Sequence, residues 1–299
     1  MLRALISLLL FIISLNAFTQ IEGVLIDSIT LKPIPYVNIW IEGSPIGTTS
    51  DLNGRFNFGG ELDHKALVFS AIGYGTKKKQ ANSISKNIYL VPKAIGIKEV
   101  SVYPEEEKEL TVDKFRRHII FTYSTGTSGS SKMIAKYFPY KEGYSETNFL
   151  KSLGIHTLSD VKNAILNVRL LTTDSLGKPS NELYDKNILV NIKKGNHKTH
   201  VDLSKLYLTF PKNGFFVVLE WLIIPENRFE YKAINSESGK KMTYTSYEPS
   251  VCFVPADSSI QYWRYSGEWR EFHQSHADYS FGRFKGKSEV PAIELVLTN

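Results

Sequence analysis

The apolar positions of this chain fall mostly into short alternating runs. Val37, Ile39 and Ile41 form one and Leu67 and Phe69 another, each bounded by turn residues. Period two predicts strands with one face inward. Between these runs Asn53-Gly54 predicts a hairpin turn, since a pair tolerant of positive φ matches the twist of the strands it joins. Phe56 and Phe58 share one face of the strand that follows and are expected in a core. Further on, Ala164, Leu166, Val168 and Leu170 alternate against Ile165, Asn167, Arg169 and Leu171, which predicts a strand buried on both faces. Asp174 to Pro179 reads as a turn. Ile188, Val190 and Ile192 make another strand, ended by Gly195-Asn196. Leu206, Leu208 and Phe210 follow, and Pro211 to Gly214 turns the chain into the apolar run Phe215 to Ile224. Glu220 interrupts that run, whose length suits a buried strand. Ile293, Leu295 and Leu297 form the last strand.

One stretch differs in texture. Leu110 to Tyr123 has helical spacing, with Thr111 or Asp113 placed to cap a short helix carrying Phe115, Ile119 and Ile120. Ser124 to Ser131 is rich in Gly, Ser and Thr and reads as a flexible loop. The chain is therefore expected to be all-β. A first β-sandwich occupies residues 21–102, a linker with a short helix spans 103–131, and a second antiparallel, jelly-roll-like sandwich spans 132–299.

The first of these units resembles a known family. Ile21-x-Gly23 opens it, Pro33-Ile34-Pro35 bends the chain into the Val37 strand, Gly47 to Phe56 carries the Asn-Gly turn, and Gly73-Tyr74 closes the Phe69 strand. Together these resemble the carboxypeptidase-regulatory-like domain, a transthyretin-like β-sandwich common in cell-envelope proteins of the Bacteroidetes. In that family the domain often precedes the plug and barrel of TonB-dependent receptors, and Ile97 to Val102 looks like the segment leading into such a plug. A receptor barrel needs roughly 22 strands of about ten residues. It is not expected in the fewer than 200 residues that follow. The rhythm of Asn167 to Trp221 resembles, more weakly, the jelly-roll half of exported proteins with the same first domain.

The N-terminus sets an expected destination. Arg3 forms a positive n-region, Ala4 to Leu15 an apolar h-region, and Ala17-Phe18-Thr19 supplies small residues for cleavage. Residues 1–20 therefore read as a signal peptide, with an uncleaved anchor from Leu2 to Phe18 as the alternative. The mature chain is expected to be exported, to the periplasm, the outer membrane or the medium, with no later transmembrane segment. Cys252 is the single cysteine, so no internal disulfide forms, and its neighbours Val251, Phe253 and Val254 predict a buried strand residue. The net charge of +6 is spread over Lys77 to Lys79, Lys193-Lys194 and Lys240-Lys241 and countered at Glu105 to Glu107. No nucleic-acid partner is expected, because the charge is not gathered on one recognisable module.

Catalytic patterns are weighed against this background. No histidine has a glutamate three residues on, so the His-x-x-Glu of zinc carboxypeptidases is missing. His197 and His200 would point to opposite faces of a strand. His273 and His276 could share a helical face beside Glu271 or Asp278, with surface histidines the plainer reading. Gly126 to Gly129 does not match the Gly-x-Ser-x-Gly elbow. No catalytic, cofactor-binding or metal-binding residue is assigned, and no cofactor is expected. What remains is the aromatic series Tyr262, Trp263, Tyr265, Trp269, Phe272, Tyr279 and Phe281. Alternation puts Trp263 and Tyr265 on the face opposite Ile260 and Tyr262, and one of the two faces should be core. Trp263, Tyr265 and Trp269 are the candidate ligand surface. The expected function is a non-enzymatic exported binding or assembly protein, whose partner is an envelope protein or a polysaccharide. The alternatives are a glycan-binding module using that aromatic face and a hydrolase with an unrecognised site.

Overall fold

The strands before and after Asn53-Gly54 enter two different sheets. The computed structural model describes residues 20–59, 62, 64–93, 108–120, 122–124, 126–257, 260–265, 267–272 and 287–299. In the first unit, one sheet has the order Arg55–Phe58, Ile21–Asp27, Asn87–Leu90, and the other Gly47–Thr49, Asn38–Ile41, Ala66–Ser70, Lys77–Gln80. Asn53-Gly54 thus turns a corner between sheets and is not a hairpin tip. Asp51 organises it: its Oδ1 accepts from the amides of Asn53 and Arg55, each at 2.8 Å. Only Gly54 of the pair has positive φ, at 70°. Its close approach to Leu25 is sealed by the Leu25 amide donating to the Gly54 carbonyl at 2.8 Å. The corner still delivers Phe56 and Phe58 inward, as expected, where they join Leu25, Val37, Ile39, Leu67, Phe69 and Ile88 in one core.

The second unit is two facing seven-stranded sheets, with every strand pairing antiparallel. One runs Pro179–Glu182, Ala164–Thr173, Phe215–Trp221, Met133–Phe138, Gln261–Tyr265, Glu268–Glu271, with Ile188–Ile192 also pairing Ala164–Thr173. The other runs Ser288–Pro291, Ser250–Ala256, Phe149–Ser159, Ile293–Thr298, Glu109–Val112. It also holds Gly195–Asp202 beside Phe149–Ser159, and Thr122–Ser124 beside Ser250–Ala256. Ala164, Leu166, Val168, Leu170, Val217, Leu219, Leu153, Leu295 and Leu297 fill the space between the sheets. Phe215–Trp221 is buried along its whole length, as the apolar run predicts. Gly195 begins a strand where a strand end was expected: at a φ of 96°, it stands where the chain leaves Ile188–Ile192 in one large sheet for Gly195–Asp202 in the other.

The segment read as a linker with a short helix is different. Glu109–Val112 pairs with the last strand, Thr122–Ser124 pairs with Ser250–Ala256, and between them Arg117–Ile119 makes a single 3₁₀ turn. Tertiary pairing overrides the spacing here, since Ile293–Thr298 offers an open edge whose ladder a helix could not complete. Phe115, Ile119 and Ile120 cover Cys252, Val254, Val290 and Ala292 on the outer side of this sheet. Cys252 is buried as expected, and burial pushes its thiol up to about 11. The signal-peptide reading, the Ile97 to Val102 strand, and His273, His276, Asp278, Tyr279 and Phe281 lie outside the described residues. Among the described residues no helix is long and apolar enough to cross a membrane.

Replacing Gly54 tests the corner. A Cβ there would lie 2.7 Å from the Leu25 carbonyl oxygen and 3.1 Å from Ile34 backbone atoms, at a φ that β-branched residues avoid. Gly54→Val is expected to destabilise the chain by at least ~1–3 kcal/mol in urea unfolding. An unchanged midpoint would contradict the geometry.

Candidate ligand surface and the seam between the sandwiches

Strand Gln261–Tyr265 is buried on both of its faces, and this decides the aromatic candidates. Trp263 points between the two large sheets and is 8% exposed. It stacks on Phe253 at 6.4 Å and 9°, and Phe272 tilts against it at 5.6 Å. Tyr262 points the other way, into a cluster with Met133, Ala135, Leu171, Phe216 and Val218, against which half-buried Trp269 packs. Trp263 is therefore removed from the candidate ligand surface, because the facing sheet covers its ring. The side chain of Tyr265 lies outside the described residues, which leaves Trp269 as the partly accessible member.

Trp269 is flanked by the first sandwich. The Arg264 guanidinium lies 5.5 Å from the ring of buried Trp40 and 5.9 Å from that of Trp269. Trp40 also closes on the turn after Arg264, where a Cβ at Gly267 would meet it at 2.9 Å. These rings surround a guanidinium and present no free flat platform.

Beside them runs a buried polar seam. Glu220, which interrupts the apolar run, is 4% exposed. It accepts from Asn38 Nδ2 at 2.9 Å and from Asn167 Nδ2 at 2.8 Å, and lies 3.6 Å from Arg169. Arg169 also pairs with Glu182. Asn38 comes from the first sandwich, and its Oδ1 accepts from Ser131 Oγ at 2.8 Å. Backbone joins the same boundary: the Ile223 amide donates to Thr49 Oγ1 at 3.0 Å, Gly47 to the Gly129 carbonyl at 3.0 Å, and Ser131 to the Pro45 carbonyl at 2.9 Å. Burial together with neighbouring Arg169 pulls Arg264 down to about 10, whereas the carboxylates of Glu220 and Glu182 hold Arg169 above its ordinary value despite burial.

Two lysines on the inner face of Met133–Phe138 and just before it were not singled out by the sequence. Lys132 holds its ammonium 4.6 Å from the Trp221 ring and 4.7 Å from the Trp263 ring, and donates to Ser124 Oγ at 2.7 Å. Burial pulls it down to about 8. Lys136 is 2% exposed, donates to the Ile293 carbonyl at 2.7 Å and pairs with Asp113 at 2.9 Å. Burial lowers its pKa and the Asp113 carboxylate opposes that shift. Asp113, the residue expected as a helix cap, instead sits at a φ of 53°, which aims its carboxylate at this amine.

The Lys136–Asp113 pair forms part of the wall of a cleft of about 710 Å³. Its apolar lining includes Phe115, Ile119, Val254 and Val290, and Lys114 and Lys141 add positive charge. A concave apolar surface with a few converging charged groups is the usual form of a binding site. The pair His197 and His200 is not brought to a common centre: His197 Nε2 lies 2.9 Å from the Lys194 carbonyl oxygen. Among the described residues no group of three His, Cys, Asp or Glu side chains could hold a metal ion.

Residues 21–102 match the family model described as CarboxypepD_reg-like domain. The chain matches no curated protein. Among solved structures it is similar to one of the infectious bursal disease virus Gx strain, at 11% identity and a TM-score of 0.24 over 89% of this chain and 57% of that one. A second is a mutant VP2 protein of infectious bursal disease virus, at 10% identity and a TM-score of 0.21 over 94% of this chain and 58% of that one. The chain thus spans little more than half the length of either.

Two outcomes follow from the buried positions. Trp263→Ala should cost ~3–5 kcal/mol, because a large ring leaves a cavity between rigid sheets, while Trp269→Ala should cost less. A near-neutral melt for Trp263→Ala would put the ring outside the core. The second outcome is a pH dependence. Lys132 loses its proton near 8 when folded but keeps it to about 10.5 when unfolded, so the unfolded chain binds more protons in that window. Stability relative to Lys132→Met should therefore rise as pH rises from about 8 to about 10.5, and the gain should vanish below 8. A difference that is flat across the window in urea titrations would refute the burial of this amine.

Proposed function

We propose that this chain is a non-enzymatic, exported binding or assembly protein of the cell envelope, and that the cleft beside Lys136 receives its partner. The observation that carries the reading is the pairing of an apolar lining with a fixed charge. Phe115, Ile119, Val254 and Val290 offer surface for an apolar group, and Lys114, Lys136 and Lys141 outnumber Asp113 beside them. The fitting partner presents an apolar side chain or chain segment next to an acidic group, which favours an envelope protein over a neutral polysaccharide. Binding also suits the carboxylate present: Asp113 is committed to Lys136 and orients an amine. The regulatory-like domain over residues 21–102 supports a scaffold role, since it adds a second sandwich with its own core. Export is supported by the basic, apolar and small-residue order of the first twenty residues.

Fractionation of cells expressing the full chain should recover it from the envelope or medium, with a new N-terminus near residue 20. An intact chain in the cytosol would overturn export. Filling the cleft with Ile260→Trp, at a lining residue that is 43% exposed, should abolish envelope cross-links formed by the wild type while the fold, read by circular dichroism, persists. Unchanged cross-links would remove the cleft from the proposal, and peptide or glycoside hydrolysis by the purified chain would overturn the non-enzymatic reading.

A further inference from the structure

Strands Arg228–Ile234 and Lys241–Tyr247 form a sheet of their own, two strands wide. A lone hairpin is marginal in water, and a third strand is what ordinarily makes such a unit stable. Among the described residues the hairpin is tied to the body at its root, where Tyr247 exchanges backbone bonds with Thr127 at 2.7 and 3.1 Å. That contact occupies the outer edge of the second strand at its base and leaves the edge of Arg228–Ile234 open.

The root also fixes which groups the open edge presents. Because the amide and carbonyl of Tyr247 turn toward Thr127, Arg228 opposite Tyr247 is a pair without mutual backbone bonds. Alternation then makes Phe229, Tyr231 and Ala233 bond inward to their partners. The amides and carbonyls of Arg228, Glu230, Lys232 and Ile234 point outward. The bond from the Asn235 amide to the Lys240 carbonyl, at 2.8 Å, agrees with this phase.

The outward-bonding residues read as a self-complementary strand. We propose that two copies of this chain associate through the Arg228–Ile234 edge, antiparallel and centred on Tyr231, giving one four-stranded sheet across a two-fold axis. In this register Glu230 lies opposite Lys232 of the second copy, and Lys232 opposite Glu230. Arg228 lies opposite Ile234, and each of these pairs consists of two outward-bonding residues, as an antiparallel ladder requires. Tyr231 meets its own counterpart at the axis and Phe229 meets Ala233. The face already carries stacked rings, Phe229 with Tyr231 at 6.1 Å and Tyr231 with Tyr244 at 5.7 Å, so the row continues across the junction. Tyr231 is 44% exposed and gains cover there.

Centring on Phe229 sets Arg228 opposite Glu230 but pairs only the first three residues of the strand, and the two registers beside the Tyr231 one are worse on charge. Centring on Glu230 sets Glu230 against itself and Arg228 against Lys232, and centring on Lys232 sets that lysine against itself. Like charges directly opposite are destabilising, and opposite charges stabilise. Glu230 is held by Arg228 at 2.5 Å along its own strand, which fixes the carboxylate on the face where the second copy's Lys232 arrives. The resulting interface is isologous and closes at two copies.

Sedimentation velocity on the purified chain, from about 1 µM to about 1 mM, reads the association directly. The wild type should pass from monomer to dimer within that range. Lys232→Glu and Glu230→Lys should each weaken dimerisation by about tenfold or more, since each creates two like-charge pairs. The charge-swapped double variant, Glu230→Lys with Lys232→Glu, should restore it to within about threefold of the wild type. Both side chains are exposed, so circular dichroism and melting should be unchanged, which separates lost association from lost folding. A wild type that stays monomeric, single variants that dimerise as the wild type does, or a double variant that fails to recover would each overturn the proposal.

Discussion

Glu220 is the residue on which both sandwiches converge. A carboxylate at 4% exposure is costly unless its lone pairs are matched, and its three partners come from two directions. Asn167 and Arg169 reach it from the neighbouring strand, and Asn38 reaches it from the other sandwich. Withdrawing the first sandwich would take away a donor and admit water to Arg169, Glu182 and Arg264 together. Such a set adds little net stability over an apolar surface of the same shape, but losing one member is expensive. Its effect is thus to penalise any other seating of one sandwich on the other. Trp40 against Gly267, and Tyr36 with Leu222 and Ile224, supply the apolar part of the same boundary.

That seating explains why the aromatic strand is not a surface. In an isolated two-sheet sandwich, one face of Gln261–Tyr265 would meet water. Here the inward face meets the opposing sheet, and the outward face belongs to a cluster bordered by Arg264 and Trp40. The cleft beside Lys136 lies instead where the two large sheets border each other, between Lys136 and Tyr137 of one and Val254 and Val290 of the other, with Phe115 and Ile119 as a further wall.

The sequence carries the strands well and their partners poorly, for a physical reason. Alternation reports how one strand divides its side chains, so Ala164–Thr173, Ile188–Ile192 and Ile293–Thr298 were legible. Asn53-Gly54 reports a turn of the right local shape, but whether the next strand folds back or crosses over depends on Gly23 meeting Phe56, far away in sequence. Residues 110–120 have a spacing that a short helix would share, and only the open edge of the last strand decides against it. Glu220 looked like an interruption in an apolar run, and Arg169 like one more position of an alternating strand, because nothing local to either signals the other. Lys132 was illegible for the same reason, since its indoles are Trp221 and Trp263, both distant in the chain.

Lys132 and Lys136 are two buried amines whose surroundings differ. They project from the same side of one strand, four residues apart, and each is nearly closed off from solvent. Lys132 lies against two ring faces and a hydroxyl, and burial lowers its pKa. Lys136 faces the Asp113 carboxylate, an opposing charge that acts against the same desolvation. A carboxylate at hydrogen-bond distance opposes the loss of a buried amine's proton. The amine paired with Asp113 is the one that borders the cleft, and Lys114 and Lys141 stand beside it. An acidic group fits an apolar cavity with that wall better than a cation does, which is the discrimination proposed for the cleft.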